Sequence, residues 1–397
     1  MALLNLLQKL SAKHTCASVN IATLVNGAYF HKQSPIKMTM EQREAVCERA
    51  IYMSNLPVSF SSPTRAAKLL IPDVFNYSLA GLCIFLNLFQ FFILPLYLLP
   101  KSIWWGVSLI PIACLNNPFW ALLHEAIHDL FNSSGRINLA FGRLLSIFFG
   151  SPFHVLRLTH LSHHKFNRSP MERGTEIYDP AKASRAKASF RYFFYIFCGL
   201  YLLEVASTFI FFLPSNIFRK MRQRLLDQGN IQEKWLAKKF MDDQIVRQVR
   251  ADGMAICLIF VLSAFCFGTH WRLFISLLMV RTFLISFLDN VYHYKTPVQV
   301  TVSGHNLFLP RMFSRLVLHF NLHRVHHANP AVPWIKLPDF FAQQSETFDR
   351  GFFSAALDQL SGPIALSDAA LPAAIGSNAR RKTLSEPTSI PDNVKEW

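Results

Sequence analysis

Residues 77–99 read YSLAGLCIFLNLFQFFILPLYLL, without one charged side chain. Wound as a helix, a run of about 20 apolar residues covers the hydrocarbon core of a bilayer, roughly 30 Å. The break PKS follows, and residues 103–123 are again uncharged. Two such runs with so short a break predict a helical hairpin whose outer ends lie on one side of a membrane. The composition agrees. Of 397 residues, 51% are hydrophobic and only 16% charged, with 37 phenylalanines, whereas a soluble domain carries about a quarter charged residues.

Lys and Arg exceed Asp and Glu by 40 to 24, a formal charge of +16. These cations sit between apolar runs rather than in one arm or patch. That argues against nucleic acid as a partner and for cytoplasmic loops beside anionic lipid. The seven cysteines include no CxxC pair, which fits free thiols in a reducing compartment better than disulfides or a rubredoxin-type centre. The first 25 residues show no secretory pattern, since the long apolar runs come later.

Further along, residues 192–213 are apolar around a central Glu204, and residues 254–267 and 273–290 are two more apolar runs, the second holding Arg281. The stretch 141–153 is interrupted by Arg143, which predicts an interfacial helix. The blocks 124–189 and 215–252 are both rich in Lys and Arg, so both are expected in the cytoplasm. Residues 192–213 must then lie in the interface or re-enter, because a carboxylate in mid-membrane is costly. The expected fold class is an all-α integral membrane protein. Its four spans (about 77–99, 103–123, 254–267 and 273–290) form two hairpins beneath a cytoplasmic helical cap, with both termini cytoplasmic. Around this domain (76–345) lie an N-terminal segment (1–75) with a helix near 40–53, and a C-terminal segment (346–397) expected to be disordered beyond about residue 361.

Fifteen histidines are present, and most fall in four places. HEAIH gives His124 and His128, and HLSHH gives His160, His163 and His164. DNVYHY gives His293, and HFNLHRVHH gives His319, His323, His326 and His327. Positions i, i+3 and i+4 share one helix face, so each group aims imidazoles at one spot. Any single HxxxH is more often a surface or core pair. Four groups at the ends of apolar runs on one predicted side point instead to a polyhistidine metal site. One zinc needs three or four ligands, and at least nine are offered. Two redox metals beside a membrane suggest O2 activation on a lipid, with iron the usual metal.

In their order and separation by apolar runs, HEAIH, HLSHH and HRVHH resemble the three histidine boxes of the membrane fatty acid desaturase superfamily, HX3–4H, HX2–3HH and HX2–3HH. HFNLHRVHHANPAVPW also resembles the third box of acyl-lipid desaturases. The resemblance spans about residues 77–341. It implies two iron ions held by His124, His128, His160, His163, His164, His293, His323, His326 and His327. It further implies O2 as co-substrate, a lipid acyl substrate, and an active site on the cytoplasmic face. Asp289, one turn before His293, is expected to orient a ligand or a bound water. His319 is expected either to support the site or to be a tenth ligand. Glu125 reads as a supporting carboxylate, and Glu176 and Asp179 as ligand supports, headgroup contacts or solvated loop residues. No cytochrome b5 motif (HPGG) is present, so electrons are expected from a separate ferredoxin or cytochrome b5-type protein. Desaturation is the expected reaction, with a lipid, carotenoid or alkane hydroxylase as the alternative. An HExxH zinc protease with Glu125 as base leaves the other histidines without a role. A metal transporter would place its ligands mid-span.

Overall fold

The computed structural model describes residues 71–172 and 175–369. The expected helix near 40–53, the rest of residues 1–70, and residues 370–397 lie outside that range. Asp73–Leu88 is a regular helix that continues as wider turns through Phe89–Leu98. Together they form α1, Asp73–Leu98. Pro95 lies inside the widened part, where it has no N–H to give and its ring crowds the preceding turn; wider turns accommodate both effects.

The run expected as one span over residues 103–123 is broken. It forms α2 (Ile103–Cys114) and α3 (Asn116–Ile127), bent by 42° at Leu115. Pro118 in the first turn of α3 is suited to a helix start rather than a helix interior. α4 (Gly135–Phe149) and α5 (Phe153–Phe166) are bent by 97°. Gly150 makes this elbow with φ +94°, in the left-handed region that costs an L side chain. The segment 141–153 is therefore the end of one helix and a corner, not one interfacial helix. Two neighbours cap the last carbonyls of α4. Arg281 Nη2 donates to Phe148 O at 2.7 Å, and Tyr201 Oη donates to Phe149 O.

α6 (Arg185–Phe209) runs through the segment expected to be interfacial, and it is long and apolar enough to cross a membrane by length and composition. Its turns Tyr195–Gly199 are widened. α7 (Ser215–Gln228) and α8 (Ile231–Lys239) pack on each other. Asn230 and Glu233 close the start of α8 with a reciprocal capping box. α9 (Asp243–Phe267) and α10 (Trp271–Asn290) follow, with Gly268 at φ +46° between them. α9 packs on the widened part of α1, and α10 on that of α6. The described residues contain three helices long and apolar enough to cross, or up to five if each bent pair is one span. The outward faces of these helices carry Phe85, Phe265 and Met279, all largely exposed. That is the pattern of a lipid-facing surface.

The remaining chain is not purely helical. Two short parallel pairs join distant segments: β1 (Ile177–Tyr178) with β4 (Ile364–Ala365), and β2 (Leu307–Phe308) with β3 (Arg350–Gly351). Between them lie α11 (Arg311–Leu316), α12 (His323–Ala328), α13 (Leu337–Gln343) and α14 (Phe352–Asp358). Order extends past residue 361, to Ala369. Tyr294 Oη donates to Gly362 O at 2.7 Å, and Ile364 N donates to Glu176 O at 2.9 Å.

Candidate metal centre

Four chain segments bring histidines to one place. α3 carries His124 and ends at His128, where Asp129 with φ +61° stops the helix. α5 carries His160, His163 and His164, and α12 carries His323, His326 and His327. His293 follows the end of α10. The ligand atoms of His124, His128, His160, His164 and His326 all lie within 4.8 Å of one another, and so do those of His163, His293, His323 and His327.

Within the first group, Nε2 atoms approach at 3.0 Å (His128–His160), 3.0 Å (His160–His164) and 3.1 Å (His164–His326). Within the second they approach at 3.1 Å (His163–His293), 2.9 Å (His293–His323) and 3.1 Å (His323–His327). Both groups are close enough for each to hold one metal ion.

The outer nitrogens fix ring orientation. His293 Nδ1 donates to Ser303 O at 3.1 Å, leaving Nε2 as the inward lone pair. His163 Nδ1 meets Glu172 Oε1, whose other oxygen accepts from Arg168 N at 2.9 Å. Burial would raise the Glu172 carboxyl, but His163 and the Arg168 N–H together hold it below its ordinary value. Burial first, and neighbouring imidazoles second, keep His293, His323 and His327 far below the usual imidazole range. Burial does the same at His326, with His128 and His163 adding to it. Neutral imidazoles are the form that binds a metal.

The supporting residues fall differently from expectation. Asp289 hydrogen-bonds none of the nine histidines among the described residues; the carboxylate that orients a ring is Glu172, which the sequence reading did not single out. His319 lies outside both groups. Its Nδ1 pairs with Ser314 Oγ at 2.9 Å, its ring lies 6.1 Å from that of Trp334, and burial lowers it to about 4. Glu125 faces away from the groups and accepts from Trp334 N at 3.1 Å. It therefore ties the Pro-Trp segment to α3 and is not placed as a protease base. Glu176 is paired with Arg168 at 2.7 Å and also accepts from Lys295 N. Asp179 binds its own turn and Lys182 at 3.4 Å. Box three is braced from outside by Arg324, between its histidines, through Glu346 and Asp349 at 2.6 and 2.7 Å.

A cavity of about 270 Å³ reaches the centre. One end lies between α7 and α8, lined by Phe218, Met221, Leu225 and Leu236; the other meets His160, His163, His293 and His323. Such a channel suits a long apolar chain brought to the metals.

No curated protein and no solved structure matches this chain significantly. With two compact histidine groups, a cavity that reaches them, and a match to the fatty acid desaturase family model over residues 102–353, which contain all nine histidines, the chain belongs to the fatty acid desaturase family.

Proposed function

We propose that the protein is a membrane-bound, O2-dependent diiron desaturase that introduces a C=C bond into a lipid acyl chain. The observation that carries this reading is the pair of imidazole groups reached by the cavity. His124, His128, His160, His164 and His326 would hold one iron, and His163, His293, His323 and His327 the other. An iron pair bound there would supply the reduction of O2 and the removal of hydrogen from an unactivated C–H bond. The protein's own side chains do the rest. Phe218, Met221 and Leu225 hold the acyl chain and exclude water from its path, while Glu172 and the Ser303 carbonyl hold the rings of His163 and His293 in register. The HX2HH form of boxes two and three favours desaturation over hydroxylation.

The site is read as open to the cytoplasm, with residues 192–213 not crossing, because Lys and Arg flank that segment on both sides. Electrons come from a separate acidic carrier of the ferredoxin or cytochrome b5 class. Its approach is favoured by the exposed Arg219, Lys220 and Arg224 on α7. The test is lipid profiling by mass spectrometry after expression in a host lacking such products. A new double bond supports the reading and a new hydroxyl moves it to hydroxylation. An unchanged profile from iron-loaded protein with donor present overturns it.

A further inference from the structure

His163 and His293 meet at 3.1 Å although 130 residues separate them in the chain. His163 lies in the last turn of α5 and His293 beyond the last turn of α10, where the hydrogen bonds of a helix run out. The two segments are bridged by residues 359–365, a piece of chain beyond the family match. At its first position Gln359 is fully buried, with a partner for each polar atom of its side chain. Its Nε2 donates to Phe287 O at 2.9 Å and its Oε1 accepts from Asn290 Nδ2 at 3.1 Å, both in the last turn of α10. Its carbonyl accepts from Tyr192 Oη of α6 at 2.8 Å. The Asn290 carbonyl in turn accepts from His293 N and Tyr294 N, each at 3.1 Å. Gln359 therefore grips the turn that presents His293.

The far end of the same piece grips the segment that follows box two. Ile364 N donates to Glu176 O at 2.9 Å, and Ile364 and Ala365 pair with Ile177 and Tyr178. Glu176 forms a buried ion pair with Arg168, whose N–H holds the Glu172 carboxylate that orients His163. Between the two grips Gly362 turns the chain at φ +90°, and its carbonyl accepts from Tyr294 Oη at 2.7 Å. We propose that residues 359–365 are a clamp that holds the His163 and His293 segments in register, with Gln359 as its main positioning residue. The ring it reaches through Glu172 is that of His163, and the turn it holds is that of His293. Both belong to the four-histidine group, so the effect falls on one group of the two. Support of this kind sets how firmly ligands keep their geometry. The inference rests on the reading of the two groups as iron sites, and it adds a positioning element to one of them.

The experiment is iron release from the iron-loaded full-length protein in detergent against increasing chelator, read by metal analysis rather than turnover. Gln359→Leu leaves Phe287 O and Asn290 Nδ2 without their partners. It should release one iron at a chelator concentration about threefold to tenfold lower, the low end of what lost support costs a metal-binding histidine. The other iron should leave as it does from the unaltered protein. Tyr294→Phe removes one hydroxyl from the middle of the clamp and should show the same split to a smaller extent, and it decides the matter if Gln359→Leu does not fold. With the four-histidine group disabled by His293→Ala, Gln359→Leu should not change release of the remaining iron. Asp242→Ala is the control for general loosening, since it removes the side-chain cap of α9 and should lower the melting temperature without splitting the curve. Curves that superimpose on that of the unaltered protein would overturn the clamp, as would curves that move together for both irons or a control that splits as well. If two irons bind and the variants release them unchanged, the clamp fails and the diiron reading stands. An unaltered protein that holds one iron or none overturns the diiron reading, and the clamp with it.

Discussion

Replacing Glu172 by Gln should loosen one iron while leaving its neighbour in place. In the structure each carboxylate oxygen has one donor: Oε1 faces His163 Nδ1, and Oε2 accepts from the Arg168 N–H. The glutamine amide offers only one oxygen, so one donor is left facing an NH2 group. Its other hydrogen bond survives without the negative charge. A charge-assisted hydrogen bond in a protein is worth about 1.5–3 kcal/mol and a neutral one about 1 kcal/mol. With the Glu172 side chain only 15% exposed, screening takes little from that difference, and the loss is on the order of 2 kcal/mol. That is roughly a 30-fold weaker hold on the metal of the His163 group, within the range found for lost partners of metal-binding histidines. The assay is iron retention against increasing chelator, read by metal analysis. The variant should release about half its iron early and the rest along the unaltered curve. Superimposable release curves would refute the role given to Glu172.

Other consequences follow from the same geometry. His326→Ala should abolish turnover and lower the iron content of the five-histidine group, with membrane insertion intact, since α12 is a short helix outside every candidate span; a fully active variant would remove box three from the site. Gly150→Ala should cost about 1–3 kcal/mol, because φ +94° disfavours a side chain and the new Cβ would meet Tyr201 Oη at 2.7 Å; an unchanged melting temperature counts against the elbow as a constraint. Single cysteines at Ser184 and Gln223 should label from the same side of the membrane, and labelling from opposite sides would make α6 a span. Donor-dependent turnover should fall with ionic strength and with charge reversal at Arg219 and Arg224. Arg222 is the wrong place to test this, because it lines the cavity and donates to Phe240 O; insensitivity of the donor's apparent affinity to salt would leave these cations to the lipid surface.

What the sequence showed well was what depends on local period. Apolar length marked α1, α9 and α10, and helical spacing drew attention to the histidines of HEAIH, HLSHH and HRVHH, while His293, alone in DNVYHY, came from the family resemblance. The bend at Leu115 had a visible signal in Pro118, but uncharged length outweighed it in the reading of one span. Glu172 had none. It lies in the turn after α5, where no period constrains a side chain, and Arg168 with φ +60° turns the backbone so that its N–H reaches back to that carboxylate. Asp289 was favoured because it precedes His293 by one helical turn, yet that spacing points it into the channel. Order up to Ala369 was illegible for a different reason. It depends on partners far away in sequence, Tyr192 Oη on Gln359 O and Tyr294 Oη on Gly362 O, and composition near residue 361 carries no trace of them.

The two histidine groups explain why boxes two and three share the form HX2HH. On α5, His160 and His164 are four residues apart and point the same way, into the five-histidine group. His163 is rotated about 100° from its neighbour His164, and it points into the four-histidine group. α12 makes the opposite allocation. His323 and His327 enter the four-histidine group and His326 the five-histidine group. Each box therefore gives a pair to one group and a single histidine to the other, so that each helix straddles both groups. HEAIH, with only an i, i+4 pair, enters one group, and His293 completes the other from the end of α10.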